Sequence, residues 1–126
     1  MTCDDVLSFS RSMTDRPAYK LHPLWLEAMS LTREAYAFSE RLRPQDPEAS
    51  LRLRRAAVAV PAHLASALSA RPEQRSEPML AARLALAQVS REAALIRGTD
   101  GEGLLHRAGD LDRRVFFELG ASDVVS

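Results

Sequence analysis

Apolar residues recur along this chain in alternating steps of three and four, the spacing that lays side chains along one face of an α-helix. Leu24, Ala28, Leu31, Ala35, Phe38 and Leu42 form the first such row and predict a helix. It begins at His22-Pro23, where proline suits a first turn, and runs to about Arg43, where Pro44 stops it. Asp46, Pro47 and Glu48 mark the next start: a capping carboxylate, a first-turn proline and an acid at the positive end of the helix dipole. This second helix is expected from Pro47 to about Ala70, with Arg71-Pro72 closing it. Pro61 lies near its middle, deletes one backbone hydrogen bond and presses on the Ala57 carbonyl, so a kink is expected there. Met79, Ala82, Leu86, Val89, Ala93 and Ile96 give a third row, with Ser76 as expected cap, Pro78 in the first turn and Arg97-Gly98 as the stop. Leu104, Ala108, Leu111, Val115 and Leu119 give a fourth, with Phe116 adding bulk, Thr99 or Asp100 as cap and Gly120 ending the run.

Four such helices joined by short connections predict an all-α fold, an up-down antiparallel four-helix bundle whose second helix is kinked at Pro61. The expected boundaries are a flexible or docking amino-terminal arm over 1–20, the bundle over 21–121 and a carboxyl-terminal tail over 122–126. A chain of 126 residues holds one core, and its abundant alanine, leucine and arginine beside only five glycines favour helix over sheet.

The hydrophobic pattern exceeds what one bundle requires in two places. Trp25, Met29 and Tyr36 form a second apolar row beside the first helix's main seam. From Ala56 to Ala70 the second helix carries no Asp, Glu, Lys or Arg, so cover is needed on several of its sides. Either a broad core within its own domain or assembly with further copies supplies that cover. Trp25, Met29, Tyr36, Val58, Val60, Pro61 and His63 are accordingly the candidate oligomer-interface residues.

Seventeen basic and seventeen acidic residues cancel, so no global field draws the protein to nucleic acid or anionic lipid. A local cluster stands out instead: Arg41, Arg43, Arg52, Arg54 and Arg55 crowd the end of the first helix and the start of the second. Repeated over the copies of an assembly it would meet phosphates, making these the candidate nucleic-acid residues. Against that, Glu40, Asp46 and Glu48 are interleaved with them, and the competing expectation is that Arg41 and Arg43 complement the carboxyl end of the first helix while Arg54 and Arg55 form inter-helix or inter-subunit ion pairs with Glu27, Glu34 or Glu92. The single cysteine, Cys3, excludes an intrachain disulfide framework and fits a reducing cytoplasm. The run from Ala56 to Ala70 is too short and alanine-rich for a bilayer, so no membrane association is expected.

Reactive chemistry has little to stand on. One His63 per chain falls short of the three or four ligands a metal needs and suits a hydrogen-bonded interface or core position. Glu102 and His106 are separated by three residues, not the two of a bundle di-iron motif, and His106 fits a polar surface. No phosphate loop, zinc-protease pair or nucleophile elbow occurs. No catalytic residue, cofactor or metal is expected, and the protein is read as not an enzyme.

Two stretches carry a resemblance to a known family. Leu24-Trp25-Leu26-Glu27-Ala28-Met29-Ser30-Leu31, followed by Tyr36, and Leu53-Arg54-Arg55-Ala56-Ala57-Val58-Ala59-Val60-Pro61-Ala62 resemble the four-helix-bundle proteins encoded in intervening sequences of bacterial 23S ribosomal RNA genes. That family includes the accessory variability determinant proteins of diversity-generating retroelements. The resemblance covers the first two helices well and the third weakly through Ala85 to Ile96. Ala59, His63, Ser66 and Ala67 stand where the family usually has serine, asparagine, glutamate and glycine. It implies an up-down bundle assembling as a ring, usually a homopentamer. The expected function is therefore a non-enzymatic, ring-forming scaffold or adaptor, its partner unspecified. The alternative is an accessory protein that binds RNA, DNA or a nucleic-acid enzyme through ringed arginines.

Overall fold

The computed structural model describes residues 18–96 and 99–120, excepting the side chains of Thr99 and Asp100. Within them lie four α-helices: α1, Pro23–Leu42; α2, Pro47–Ser69; α3, Ser76–Leu95; and α4, Thr99–Val115, which continues as a π-helical turn over Phe116–Gly120. Each helix packs on the next, and α4 returns to α1, so the four form a closed square of antiparallel neighbours. The described residues contain no strand. The all-α, up-down four-helix bundle expected from the apolar rows is the observed fold.

Helix starts follow local chemistry. His22 is the N-cap of α1, its Nδ1 accepting from the Leu24 amide at 3.1 Å. Asp46 caps α2 in the same way, Oδ1 accepting from the Ala49 amide at 3.0 Å. Both helices then begin on proline, whose missing N–H falls where no intrahelical partner exists. The third start departs from expectation. Arg75, not Ser76, occupies the N-cap of α3 and makes no side-chain cap there. Its guanidinium instead donates to the Ala67 and Ala70 carbonyls, closing the end of α2. At the other end α3 stops at Leu95, short of the expected Arg97. Arg97 and Gly98 lie outside the described residues, as do the side chains of Thr99 and Asp100.

The core is the set of apolar rows brought face to face. Leu24, Leu31, Leu53, Leu64, Leu86 and Leu104 are fully enclosed, with Val60, Val89 and Val115 between them. Burying one such side chain contributes about 1.5–3 kcal/mol, so these rows dominate the stability of the fold. Near the turn that joins α1 to α2, small polar residues are buried at the contact. Ser50 donates its hydroxyl to the Ser39 carbonyl at 2.8 Å, and Ser39 donates to the Tyr36 carbonyl at 2.8 Å.

Pro61 lies inside α2, which runs unbroken through it, and is itself buried. Proline leaves the carbonyl four residues back without its usual N–H donor. That carbonyl belongs to Ala57, and the Thr32 hydroxyl of α1 reaches it at 3.0 Å.

Of the expected amino-terminal arm, residues 18–20 are described and with Leu21 form a 3-10 turn, Ala18–Leu21, packed on α1 and α2. The Tyr19 ring meets Trp25 edge to face, centroids 5.6 Å apart. Residues 1–17 and the expected tail, 122–126, lie outside the described residues.

Candidate functional site

The seven residues expected at an oligomer interface divide into two groups. Val60 and Pro61 belong to the core of the single chain: Val60 has no exposed surface, and Pro61 is buried beside it. Neither presents a side chain to a neighbour, and the expectation is corrected for both. The cause is rotational, since two residues of helix separate Val58 from Val60 by about 200°, so the uncharged run spans the inward and outward sides of α2. Trp25, Met29 and His63 are half-buried, while Tyr36 and Val58 are exposed, at 39% and 49%.

The outward side of α2 has a regular character. Leu51, Val58 and Ala65 recur at seven-residue spacing, with Ala62 between the latter two. Leu51 is 45% exposed, Ala62 is exposed and Ala65 half-buried. Arg54 extends this surface toward α1, its guanidinium lying over the Tyr36 ring, 5.6 Å from the centroid. The Arg54 Nε is enclosed and has no hydrogen-bond partner among the described residues.

Beside this surface a shallow groove of about 510 Å³ runs between α2 and α3. Its floor is made of Ala56, Ala59, Ala81 and Ala85, and Leu84 stands on its rim with 63% of its surface exposed. Arg52, Arg55, His63 and Gln88 supply its polar groups. Alanines on both helices leave the groove because neither side offers a side chain long enough to fill it.

The five arginines expected at a nucleic-acid interface do not form one free cationic patch. Arg43 pairs with Glu40 at 3.5 Å, and Arg41 lies over the Phe38 ring at 5.5 Å. Arg52 donates through Nε to both oxygens of Glu92, at 3.2 and 3.3 Å. Gln88 donates to the same carboxylate at 2.9 Å, which satisfies a Glu92 that is only 4% exposed. Arg54 is turned onto Tyr36, as described. Arg55 alone of the five is exposed with no ion-pair or hydrogen-bond partner among the described residues.

The acids named as partners for Arg54 and Arg55 are therefore distributed differently. Glu34 binds Arg107, Glu27 lies 3.9 Å from Arg114, and Glu92 takes Arg52. Sequence spacing reveals which helix faces carry charge but not how neighbouring helices are rotated, and that rotation selects the partner.

Two features of α3 and α4 escaped the sequence reading. Phe116, expected to add bulk to the core, is 47% exposed in the π-helical turn with Phe117, which is 67% exposed. The Arg83 guanidinium covers Phe116 at 4.8 Å while binding both Asp112 oxygens, at 2.9 and 3.3 Å. That hydrogen bond and the Asp112 charge raise the Arg83 pKa above the ordinary guanidinium value, although burial works the other way. The extra residue of a π-turn shifts the helical phase, which a regular three-four pattern does not reveal.

No group of three or more His, Cys, Asp or Glu among the described residues is placed to hold a metal ion. No helix among them is long and apolar enough to cross a membrane. A scan against protein-family models found no match to this chain, and searches of curated proteins and of solved structures found none either.

Proposed function

We propose that this protein is a non-enzymatic homo-oligomeric scaffold, in which the outer side of α2 and the adjoining part of α1 join copies into a ring. The carrying observation is the partly apolar exterior of α2, uncharged over its carboxyl-terminal part: Leu51 and Val58 remain about half exposed, and no Asp, Glu, Lys or Arg interrupts the helix from Ala56 to Ser69. A helix side that faces only water normally carries charge. Heptad spacing of Leu51, Val58 and Ala65 suits packing against another helix. A five-membered ring is the form implied by the sequence resemblance, with Tyr36, Val58 and the Arg54 guanidinium at its contacts.

The test substitutes the exposed member of the stripe. Val58→Lys places a charge at the proposed contact while leaving the core untouched, because the Val58 side chain is half exposed in the isolated chain. Sedimentation equilibrium should show assembly by the native protein and monomer for the variant, with identical helical circular dichroism. An assembly unaffected by Val58→Lys removes this surface from the proposal.

A further inference from the structure

The groove between α2 and α3 has an apolar floor with cations along one side, and the chain holds a segment of matching chemistry. Residues 4–9 read Asp4-Asp5-Val6-Leu7-Ser8-Phe9, two acids followed by three large apolar side chains. We propose that this segment docks in the α2/α3 groove of its own chain. Asp5 meets Arg55 and Asp4 meets Arg52, and Val6, Leu7 and Phe9 cover Leu84 and the alanine floor.

Three observations fit together. The first is charge: Arg55 has no partner among the described residues, and Arg52 binds Glu92 through Nε, leaving its terminal nitrogens to a second acid. The second is shape, because a floor of alanines beside a 63% exposed Leu84 lacks bulky side chains that the segment carries. The third is direction and reach. The described chain begins at Ala18, in the 3-10 turn packed on α1 and α2. Since α1 and α2 are antiparallel, that turn lies toward the carboxyl end of α2. A segment passing from there along α2 meets His63 and Ala59 before Arg55 and Arg52, the order in which Phe9, Leu7, Val6, Asp5 and Asp4 follow. The nine residue steps from Ala18 to Phe9 span up to about 30 Å when extended. The stretch of α2 from Leu68 to Arg52 is about 24 Å long. The docking requires no second copy, so it stands or falls apart from the assembly proposed above.

Cys3 is the chain's one cysteine and adjoins Asp4, so a nitroxide attached there reports the position of the segment in the full-length protein. Docking predicts loss of amide nuclear magnetic resonance signals around residues 49–56 of α2 and 88–92 of α3, with those of 107–115 in α4 retained. The double variant Asp4→Lys, Asp5→Lys should restore the lost signals. Arg55→Asp should weaken the effect, and Arg55→Asp combined with Asp5→Arg should recover it. For the within-chain arrangement, labelled isotopic protein is refolded with an excess of unlabelled, non-isotopic chain, so that each observed molecule carries its own nitroxide among silent neighbours. Signal loss that persists on this dilution supports docking within one chain, and loss that disappears overturns it. Broadening on another face, or broadening indifferent to the charge reversals, overturns the proposal as well.

Discussion

The Thr32 hydroxyl lies 3.0 Å from the carbonyl oxygen of Ala57, the carbonyl that Pro61 deprives of its intrahelical donor. The same hydroxyl is 2.8 Å from the Ala28 carbonyl of its own helix, so one proton serves two acceptors at the buried α1/α2 contact. A proline in a helix interior ordinarily costs about 3 kcal/mol, part of it through the carbonyl left unpaired. Here the neighbouring helix provides the missing donor. Thr32→Val, nearly equal in shape, should destabilise the protein by about 1–3 kcal/mol in urea unfolding, the range for an orphaned buried polar group. In a Pro61→Ala background the restored backbone N–H can serve Ala57, so the same substitution should cost clearly less. Equal costs in the two backgrounds would show that Thr32 and Pro61 are not coupled.

Two glycines of α4 should respond to alanine with opposite signs. A Cβ on Gly101 would stand 2.8 Å from the Ile96 carbonyl oxygen and 2.9 Å from that of Ala93, both backbone atoms that cannot swing aside. Gly101→Ala should therefore force α4 away from the end of α3 and cost about 1–3 kcal/mol, as other overpacked sites do. A Cβ on Gly103 meets nothing within 4 Å. Gly103→Ala should stabilise by up to about 1 kcal/mol through helix propensity alone. Thermal unfolding of the two variants, followed by circular dichroism, checks both signs.

The Arg52–Glu92 pair is asymmetric. The Arg52 side chain is 50% exposed and Glu92 only 5%, so water can replace the acid for the arginine but not the reverse. Arg52→Ala leaves a buried carboxylate with Gln88 as its remaining described donor and should cost about 3 kcal/mol or somewhat more. Glu92→Gln, which removes the buried charge and keeps the shape, should cost less. Denaturant titration of the two variants at neutral pH ranks them, and the opposite order would contradict the burial argument.

Four of the five clustered arginines are engaged with Glu40, Phe38, Glu92 and Tyr36. Strong phosphate binding draws on several unneutralised cations and weakens steeply with salt. A gel-shift assay with RNA and duplex DNA at low salt should accordingly show no complex. A salt-sensitive shift abolished by replacing Arg52, Arg54 and Arg55 would transfer the function to nucleic-acid binding.

The helices were legible because their signals are local. His22, Asp46 and the prolines after them set two starts, and alternating steps of three and four placed Leu24 through Phe38 and Leu104 through Leu119 inside. What failed depended on rotation or on distant partners. Ser76 resembles a cap, yet the backbone is already helical at Arg75, which stands at the N-cap while its guanidinium closes the distant end of α2. Val58 and Val60 are alike in composition, and only their phase on α2 makes one an outward contact and the other core. Phe116 follows the apolar row in sequence but leaves it through the π-turn. The groove was not read from sequence at all, since it consists of what alanines on two separate helices fail to fill. Its trace is present in retrospect as Ala56, Ala59, Ala81 and Ala85.

Self-association is the claim from which the scaffold function follows. Light scattering coupled to size exclusion, run from low to high micromolar concentration, measures it most directly. A homo-oligomeric scaffold should give a mass that is a multiple of the 13.9 kDa chain, five copies for the proposed ring. A stable 13.9 kDa species across the whole range would contradict it.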